Sequence, residues 1–339
     1  MVTEKEEMIA PVTEDLYGDL LTVTTSPHIK HNATTTKIMA QVLIALTPAF
    51  IWGIIAFGWN AFLMPLFAVA TSVLSEFLMQ KLLKKPVTVG DLSAVVTGLL
   101  LGFNLPANNA YFLPIAGAAF AIAVTKQLFG GIGKNFVNPA LAARVFLLLS
   151  WPEQMTAFPQ HRWATDLTAS ATPAGFATRG MALENANLLD LFLGKCSGSI
   201  GEISALLLLV GGIYLIVRRV ITWHIPVAYL GTVALLTLIF PYPDTLGFFD
   251  LSRMTFELCS GGLMLGAIFM ATDYVTSPIT WRGRLIFGVG CGLLTVFFRY
   301  FNQSYPEGVS FSILVMNCLV WYIDKITRPR VFGGARHGQ

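Results

Sequence analysis

Residues 37–57 read KIMAQVLIALTPAFIWGIIAF, an apolar run whose only charged side chain is the first one, Lys37. A helix of about 20 apolar residues is long enough to cross the hydrocarbon core of a bilayer. Nine more apolar runs bring the predicted membrane spans to ten, although several of them are too short for a straight crossing. The main runs are Lys37–Phe57, Ala61–Met79, Ala110–Phe129, Ser204–Val217, Trp223–Phe240, Phe256–Ala271, Arg284–Phe298 and Val309–Ile323, and two further short ones are Leu92–Leu105 and Pro139–Trp151.

The composition agrees with an integral membrane protein. Of the 339 residues, 55% are hydrophobic and 12% are charged, and the mean hydropathy is +0.65. An average globular domain has roughly 25% charged residues, so a soluble domain, a secreted disulfide scaffold and a disordered chain are excluded. The formal net charge of +3 is too weak a field to attract a polyanion, and we therefore expect no nucleic-acid partner.

Basic residues predict how the chain is oriented. With the N-terminus in the cytoplasm, 16 of the 22 basic residues fall on the inner face, five fall on the outer face, and Arg144 lies within a short span. Cytoplasmic loops of membrane proteins are enriched in Lys and Arg. We therefore expect both termini in the cytoplasm and residues 152–202 outside it, in a multi-pass protein of the cell inner or plasma membrane.

The ten spans divide into five plus five around the polar stretch 152–202. Because five is odd, the second half would enter the membrane upside down relative to the first. Residues 98–102 read GLLLG and residues 262–266 read GLMLG, a weak echo between the halves. The expected fold is all-α, with about ten transmembrane helices in two inverted five-helix repeats. The predicted regions are a tail at 1–36, repeats at 37–151 and 203–324, the loop 152–202 between them, and a tail at 325–339.

The cysteines do not form a metal motif. None of the four belongs to a C-x-x-C pair, and an iron–sulfur site would need all of them from separate segments. We expect structural thiols and no metal. The four are Cys196, Cys259, Cys291 and Cys318.

The predicted outer loop contains residues 163–173, WATDLTASATP, in which Asp166 precedes Thr172 by six positions. Composition alone favours an Asx or Ser/Thr turn ahead of Pro173. The composition of this segment does not by itself indicate a cofactor.

Four strings carry a family resemblance: residues 26–28 (SPH), 130–140 (GGIGKNFVNPA), 169–173 (ASATP) and 270–278 (MATDYVTSP). Over nearly its whole length the chain resembles the NqrB/RnfD family. This family comprises the D component of Rnf complexes and the B component of the sodium-pumping NADH:quinone oxidoreductase. The K-N-x-x-N-P-A and A-T-D-x-x-x-S-P strings are specific, whereas D-x(4)-A-T alone is weak.

The resemblance implies covalent FMN, joined through its 5′-phosphate to a threonine hydroxyl by a flavin transferase acting outside the cytoplasm. The acceptor is the last residue of a D-x-x-(S/T)-G-A-T pattern, which ends here at Thr172. Asp166 and Ala171 match this pattern, while Ala169 and Ser170 depart from it. Such a tether fixes the flavin without altering its ring.

Further candidate residues lie near this threonine and at the inner face. Arg162 and Arg179 are expected either to neutralise the phosphate or to be solvated loop charges. Residues 130–140 are expected to form a turn into a short helix. Its donors would either hold an anion or a flavin edge or simply cap the helix. These donors are Lys134, Asn135 and Asn138. Asp273, in the second inner string, is a further candidate that we expect to cap a helix or pair with Lys134. The resemblance also implies a non-covalent riboflavin without placing it.

The resemblance implies a flavoprotein subunit that relays electrons between ferredoxin and NAD, coupled to Na⁺ or H⁺ translocation. Its expected partners are the other Rnf subunits (A, B, C, E and G), the flavin transferase and membrane lipid. The sequence has no G-x-G-x-x-G fingerprint after a strand, so the chain is not expected to be active alone. Two alternatives stay open: an NqrB-like component of a quinone reductase, and a non-redox channel, because the five-plus-five fold also resembles urea transporters.

Overall fold

The structure, a computed structural model, describes residues 33–159, 162, 188–240, 251–301 and 308–329. All regular secondary structure in these ranges is helical, which confirms the expected all-α class. In chain order the helices are α1 (Thr35–Phe57), α2 (Asn60–Leu82), α3 (Ser93–Phe103), α4 (Phe112–Gln127), α5 (Pro139–Ser150), α6 (Pro152–Thr156), α7 (Leu188–Leu193), α8 (Ala205–Val217), α9 (His224–Ile239), α10 (Leu251–Cys259), α11 (Leu263–Leu265 with its continuation Gly266–Met270), α12 (Trp281–Phe301) and α13 (Val309–Thr327).

Within these ranges, four helices, α1, α2, α12 and α13, are long and apolar enough to cross a membrane. Five shorter apolar helices accompany them: α3, α4, α5, α8 and α9. Helices of 10–17 residues are shorter than the roughly 20 residues of a straight crossing. The chain is therefore an integral membrane protein, and its number of crossings stays a prediction.

One predicted span is interrupted. The run Phe256–Ala271 is divided between α10 and α11, which are separated by a turn at residues 260–262. Gly261 in this turn has a φ of +59°, a left-handed conformation that glycine adopts without steric cost. The pattern of apolar residues does not reveal this break, because the turn consists of small residues that also occur within membrane helices.

Two helices contain wide, π-helical turns. They are the last part of α4, Ala121–Gln127, and the continuation of α11, Gly266–Met270. Such turns widen the backbone locally and occur often at functional sites. Both lie at the end of their helix next to the same cavity, which is described below.

The two sequence halves meet at two pairs of helices. In each half the core is a packed group, with α2 against α3 and α4 in the first and α9 against α10 and α12 in the second. Between the halves, α1 packs on α8 and α5 packs on α13. The first helix of one half thus contacts the first helix of the other, and the fifth contacts the last.

Candidate functional site

A cavity of about 210 Å³ lies between the N-terminal ends of α1, α3 and α5 and the C-terminal ends of α4, α8 and α11. It brings together residues of the two inner strings, Asn135 and Asn138 from one and Thr272 and Asp273 from the other. Its other walls are mostly apolar. These apolar residues include Met39, Val42, Leu100, Leu215 and Phe269.

The segment before α5 makes a turn that depends on glycine. Gly130, Gly131 and Gly133 have φ values of +120°, +99° and +81°, which lie in a region that other residues rarely adopt. The turn delivers Asn138 to the start of α5, where its side chain accepts hydrogen bonds from the backbone N–H groups of Ala140 and Leu141. The expected turn into a short helix is confirmed, and Asn138 is its N-cap.

Asn138 also joins the two halves of the sequence. Its Nδ2 donates to the Met270 carbonyl oxygen at 3.1 Å. With its amide oriented to satisfy both neighbours, Asn317 of α13 donates to the Thr276 carbonyl oxygen (3.0 Å) and accepts from the Asn138 backbone N–H (3.1 Å). The hydrogen bonds of Asn138 therefore connect the segments that form the cavity walls. Asn135 donates to the Val137 carbonyl oxygen at 3.1 Å and remains on the cavity wall.

The cation of the cavity is different from the one that the sequence suggested. Lys134 is exposed, and among the described residues it forms no ion pair with Asp273. Lys126, which is 3% exposed, lines the cavity instead. Its Nζ lies 2.7 Å from Oε1 of Glu76 on α2 and donates to Ser93 Oγ at 2.6 Å.

The difference follows from where the two segments lie in the fold. Lys134 follows three glycines on an outward turn, whereas Lys126 lies in the wide turn of α4 that packs against α2. The sequence did contain a signal for the buried pair. Ser72, Glu76 and Gln80 recur every four residues in an apolar helix, which places three polar side chains on one face, and all three are buried.

Asp273 also lines this cavity. Thr276 Oγ1 donates to Asp273 Oδ2 at 3.1 Å. Burial raises the pKa of the Asp273 carboxyl, and the Thr276 hydrogen bond and the positive charge of Lys126 partly offset this rise. The cavity wall therefore carries both a fixed cation, Lys126, and a carboxyl of weakened acidity, Asp273.

A second cavity of about 430 Å³ adjoins the first and shares Thr35 and Ile132 with it. Its walls are more polar than those of the first cavity, because helix ends and the glycine turn form them. Its polar side chains are Thr35, Gln80, Lys85, Thr88, Asp91 and Gln127. Together the two cavities offer an apolar compartment next to a polar one.

Arg144, the charged residue inside a short predicted span, has a structural role. Its Nη1 donates to Asn104 Oδ1 at 2.7 Å. Glu202 lies nearby and accepts at Oε1 from the Ser199 backbone N–H at 3.1 Å. The backbone passes close to both charges at Gly262, where a Cβ would lie 2.7 Å from Glu202 Oε2 and 3.2 Å from Arg144 Nη1. Arg144 is thus held in the interior by a buried polar side chain, that of Asn104.

The predicted flavin loop lies mostly outside the described residues. Of its candidates, only Arg162 is described: it is exposed, and its backbone N–H donates to the Ala56 carbonyl oxygen at 3.2 Å, near the end of α1. The cavity lies at the other end of this helix, roughly 30 Å away at 1.5 Å per residue. The candidates outside the described residues are Asp166, Ser170, Ala171, Thr172 and Arg179.

The cysteines are free thiols, and no cluster of three or more metal-binding side chains occurs in the described ranges. Cys291 is buried, Cys318 is exposed, and Cys196 and Cys259 are half-buried. Burial raises the pKa of Cys196 to about 12, which disfavours the thiolate that a metal would require. Of the four thiols, only Cys291 is fully buried as a structural thiol would be, and Cys318 is exposed.

Comparison with known proteins shows extensive similarity. The model of the NQR2, RnfD, RnfE family matches residues 22–333. The chain is 47% identical to the D component of the Na⁺-translocating ferredoxin:NAD⁺ oxidoreductase complex of Acetobacterium woodii, over 92% of this chain and 95% of the relative. It is 40% identical to the proton-translocating counterpart of Clostridium ljungdahlii, over 94% and 98%. It is 36% identical to the D component of the ion-translocating oxidoreductase complex of Escherichia coli, over 92% and 98%.

Proposed function

The chain belongs to the NQR2, RnfD, RnfE family, and from this premise we propose that it is the membrane-embedded flavoprotein component of an Rnf-type complex. In this role it relays electrons between ferredoxin and NAD, coupled to translocation of Na⁺ or H⁺, and is not active alone. The proposal rests on similarity to RnfD-type relatives over nearly the full length of both chains. Those relatives' names include both Na⁺ and proton translocation, so the ion is left open.

The proposed partners are the remaining subunits of the complex (A, B, C, E and G), together with membrane lipid and a flavin transferase during maturation. Iron–sulfur clusters and the NAD site belong to the other subunits in this proposal. The proposed fold is ten transmembrane helices in two inverted repeats. The contacts of α1 with α8 and of α5 with α13 support it, because a two-fold relation between halves pairs equivalent helices.

FMN is proposed to be attached through its phosphate to the Thr172 hydroxyl outside the cytoplasm. Bound FMN would supply electron transfer through its ring. The chain's contribution is to hold the phosphate, with the Thr172 oxygen as the covalent anchor and Arg162 and Arg179 as nearby cations. Arg162 is exposed and its backbone is tied to the end of α1, so its guanidinium is accessible to an anion. Asp166, Ser170 and Ala171 are proposed as the sequence context that the transferase reads.

A non-covalent riboflavin is proposed to occupy the two adjoining cavities. The apolar walls of the smaller cavity suit a flat, mostly apolar ring, and Asn135 and Lys126 supply donors for a polar ring edge. The polar walls of the larger cavity suit a chain of hydroxyl groups. Asn138 and Asp273 contribute by shaping the wall, and Lys134 lies outside it. The cavity end of the protein is proposed to face the cytoplasm.

The experiment that tests the attached flavin compares two threonines of one loop. The full chain is produced with its flavin transferase as wild type, Thr172→Ala and Thr168→Ala. Covalent flavin is then read as fluorescence of the band in a denaturing gel under ultraviolet light. We expect fluorescence for wild type and Thr168→Ala, and none for Thr172→Ala at equal protein level, because only one hydroxyl forms the ester.

Three results would contradict this proposal in different ways. Fluorescence that persists in Thr172→Ala would place the flavin on another residue, which mass spectrometry of the loop peptide would identify. A wild-type chain without covalent flavin would favour the non-redox channel. Electron delivery from the assembled complex to a quinone instead of NAD would favour the quinone reductase.

A further inference from the structure

We infer that Lys126 is the residue that sets the reduction potential of the flavin in the cavity, with Glu76 and Ser93 as its positioning residues. This inference rests on the riboflavin site proposed above. Lys126 lies in the wide turn that ends α4 and lines the cavity together with Ser93 and Asp273. A charged side chain in the interior of a membrane protein is costly and is kept there by a partner or a function.

The position of the Lys126 ammonium is fixed by its neighbours. Glu76 Oε1 lies 2.7 Å from Nζ, and Ser93 Oγ accepts from it at 2.6 Å. The neighbours are themselves held, because Gln127 Nε2 donates to the same Glu76 oxygen (2.8 Å) and Ser93 Oγ donates to Asp91 Oδ1 (2.6 Å). Both partners of Lys126 are therefore restrained by a further hydrogen bond.

One donor of Lys126 is left for a ligand. An ammonium group carries three N–H donors, and the described part of the chain shows two acceptors for them, Glu76 and Ser93. Both Lys126 and Ser93 lie on the cavity wall. A ligand with an electronegative edge can accept the third hydrogen bond without disturbing the ion pair.

The positive charge of Lys126 would affect the reduction potential of a flavin, because the charge of the flavin ring changes on reduction. Uptake of two electrons and one proton converts the neutral oxidised ring into an anion, whose charge lies at the N1–C2 carbonyl edge. A fixed cation at that edge stabilises the reduced ring more than the oxidised one. The effect is strong where apolar walls exclude water, because charges interact more strongly at low dielectric constant. In the complex, the electrons come from the ferredoxin-dependent reaction.

The test uses the full chain purified in detergent without flavin transferase, so that covalent FMN is absent, and supplied with riboflavin. The first variant, Lys126→Arg, keeps the positive charge. The second, Glu76→Gln/Lys126→Met, removes both charges of the ion pair, so that neither charge is left buried without its partner. Lys81→Met, an exposed lysine near the end of α2, is the matched control. Two quantities are measured: riboflavin bound per chain, and the ratio of reduced to oxidised flavin at a fixed applied potential.

We expect the double variant to retain bound riboflavin while its reduced-to-oxidised ratio falls at least about tenfold, which is about 30 mV for a two-electron couple. Lys126→Arg and Lys81→Met should stay within about threefold of wild type, because neither removes the buried positive charge. A double variant with bound flavin and an unchanged ratio overturns the role of Lys126. A wild-type chain that binds no riboflavin overturns the proposed cavity site itself, which is a separate result.

Discussion

At the residue scale, this protein buries more charge than its sequence suggests. Glu76 is 1% exposed and Glu257 is 4% exposed, and each carboxylate is close to a buried basic side chain. Because hydropathy is averaged over a window of mostly apolar residues, it does not show that these charged side chains are buried. A buried ion pair repays its desolvation only when its remaining hydrogen bonds are made. The networks around Lys126 and Arg299 meet that condition in part: each includes further hydrogen bonds, while Glu76 Oε2 and Arg299 Nε have no partner in the described part of the chain.

Arg299 provides a test of how much such a network stabilises the fold. Its guanidinium donates to the Glu257 carboxylate (2.8 Å) and to the carbonyl oxygens of Glu257 and Ser260 (2.6 and 2.9 Å). We expect Arg299→Met to lower the free energy of unfolding by about 3 kcal/mol, because removal of one partner leaves buried acceptors unpaired. Arg253 still faces Glu257 at 2.7 Å, which limits the loss.

The measurement is the Tm of the purified chain in detergent, which should fall by roughly 5 °C or more for Arg299→Met. Arg218→Met is the control, because Arg218 is exposed at the end of α8. Equal Tm values for the two variants would show that the Arg299 network contributes nothing to stability.

At the element scale, close helix packing depends on small residues. Gly98 and Gly102 of α3 lie against α2, where a Cβ on Gly98 would be 2.7 Å from Val69 Cα and one on Gly102 would be 2.6 Å from Pro65 Cα. These atoms belong to the backbone and cannot move aside as a flexible side chain would. The glycines of the GLLLG string therefore form a close helix–helix contact, as small residues commonly do in membrane proteins. The similar GLMLG string serves another purpose, because its first glycine accommodates the side chains of Glu202 and Arg144.

Substitution of Gly98 by alanine should separate α2 from α3. We expect Gly98→Ala to destabilise the chain by about 1–3 kcal/mol, the usual cost of overpacking. The matched control is Gly231→Ala in α9, where no atom lies within 4 Å of the added Cβ. Alanine is a better helix former than glycine by roughly 1 kcal/mol, so the control should be neutral or more stable. Tm values in detergent distinguish the two, and a stable Gly98→Ala chain would contradict the packing argument.

At the scale of the whole molecule, the two candidate flavin positions are associated with opposite ends of α1. The cavity lies at its N-terminal end, while the backbone of Arg162, which leads into the predicted attachment loop, is bonded near its C-terminal end. A helix of 23 residues separates the two, a length comparable to the hydrocarbon thickness of a bilayer. The arrangement agrees with one flavin site facing each side of the membrane.

This arrangement predicts the orientation of the chain. In a variant without its four cysteines, single cysteines are introduced as Ala174→Cys in the loop and Gly334→Cys in the C-terminal tail. A membrane-impermeant maleimide added to intact cells should label the first and not the second, because the excess of basic residues keeps the tail in the cytoplasm. Permeabilised cells, in which both should react, provide the control. Labelling of the tail in intact cells would reverse the proposed orientation.

The sequence by itself determined the class of the protein and the approximate positions of its helices, because long apolar runs have no other stable place than a membrane or a buried core. Its motifs also marked the residues that line the cavity, Asn135, Asn138 and Asp273. The tertiary structure alone decided which cation lies there, since Lys126 and Glu76 are 50 positions apart in the chain and meet only when α4 packs on α2. It also decided where α10 and α11 divide. Local patterns encode local structure, whereas the partner of a buried charge is set by contacts between distant segments.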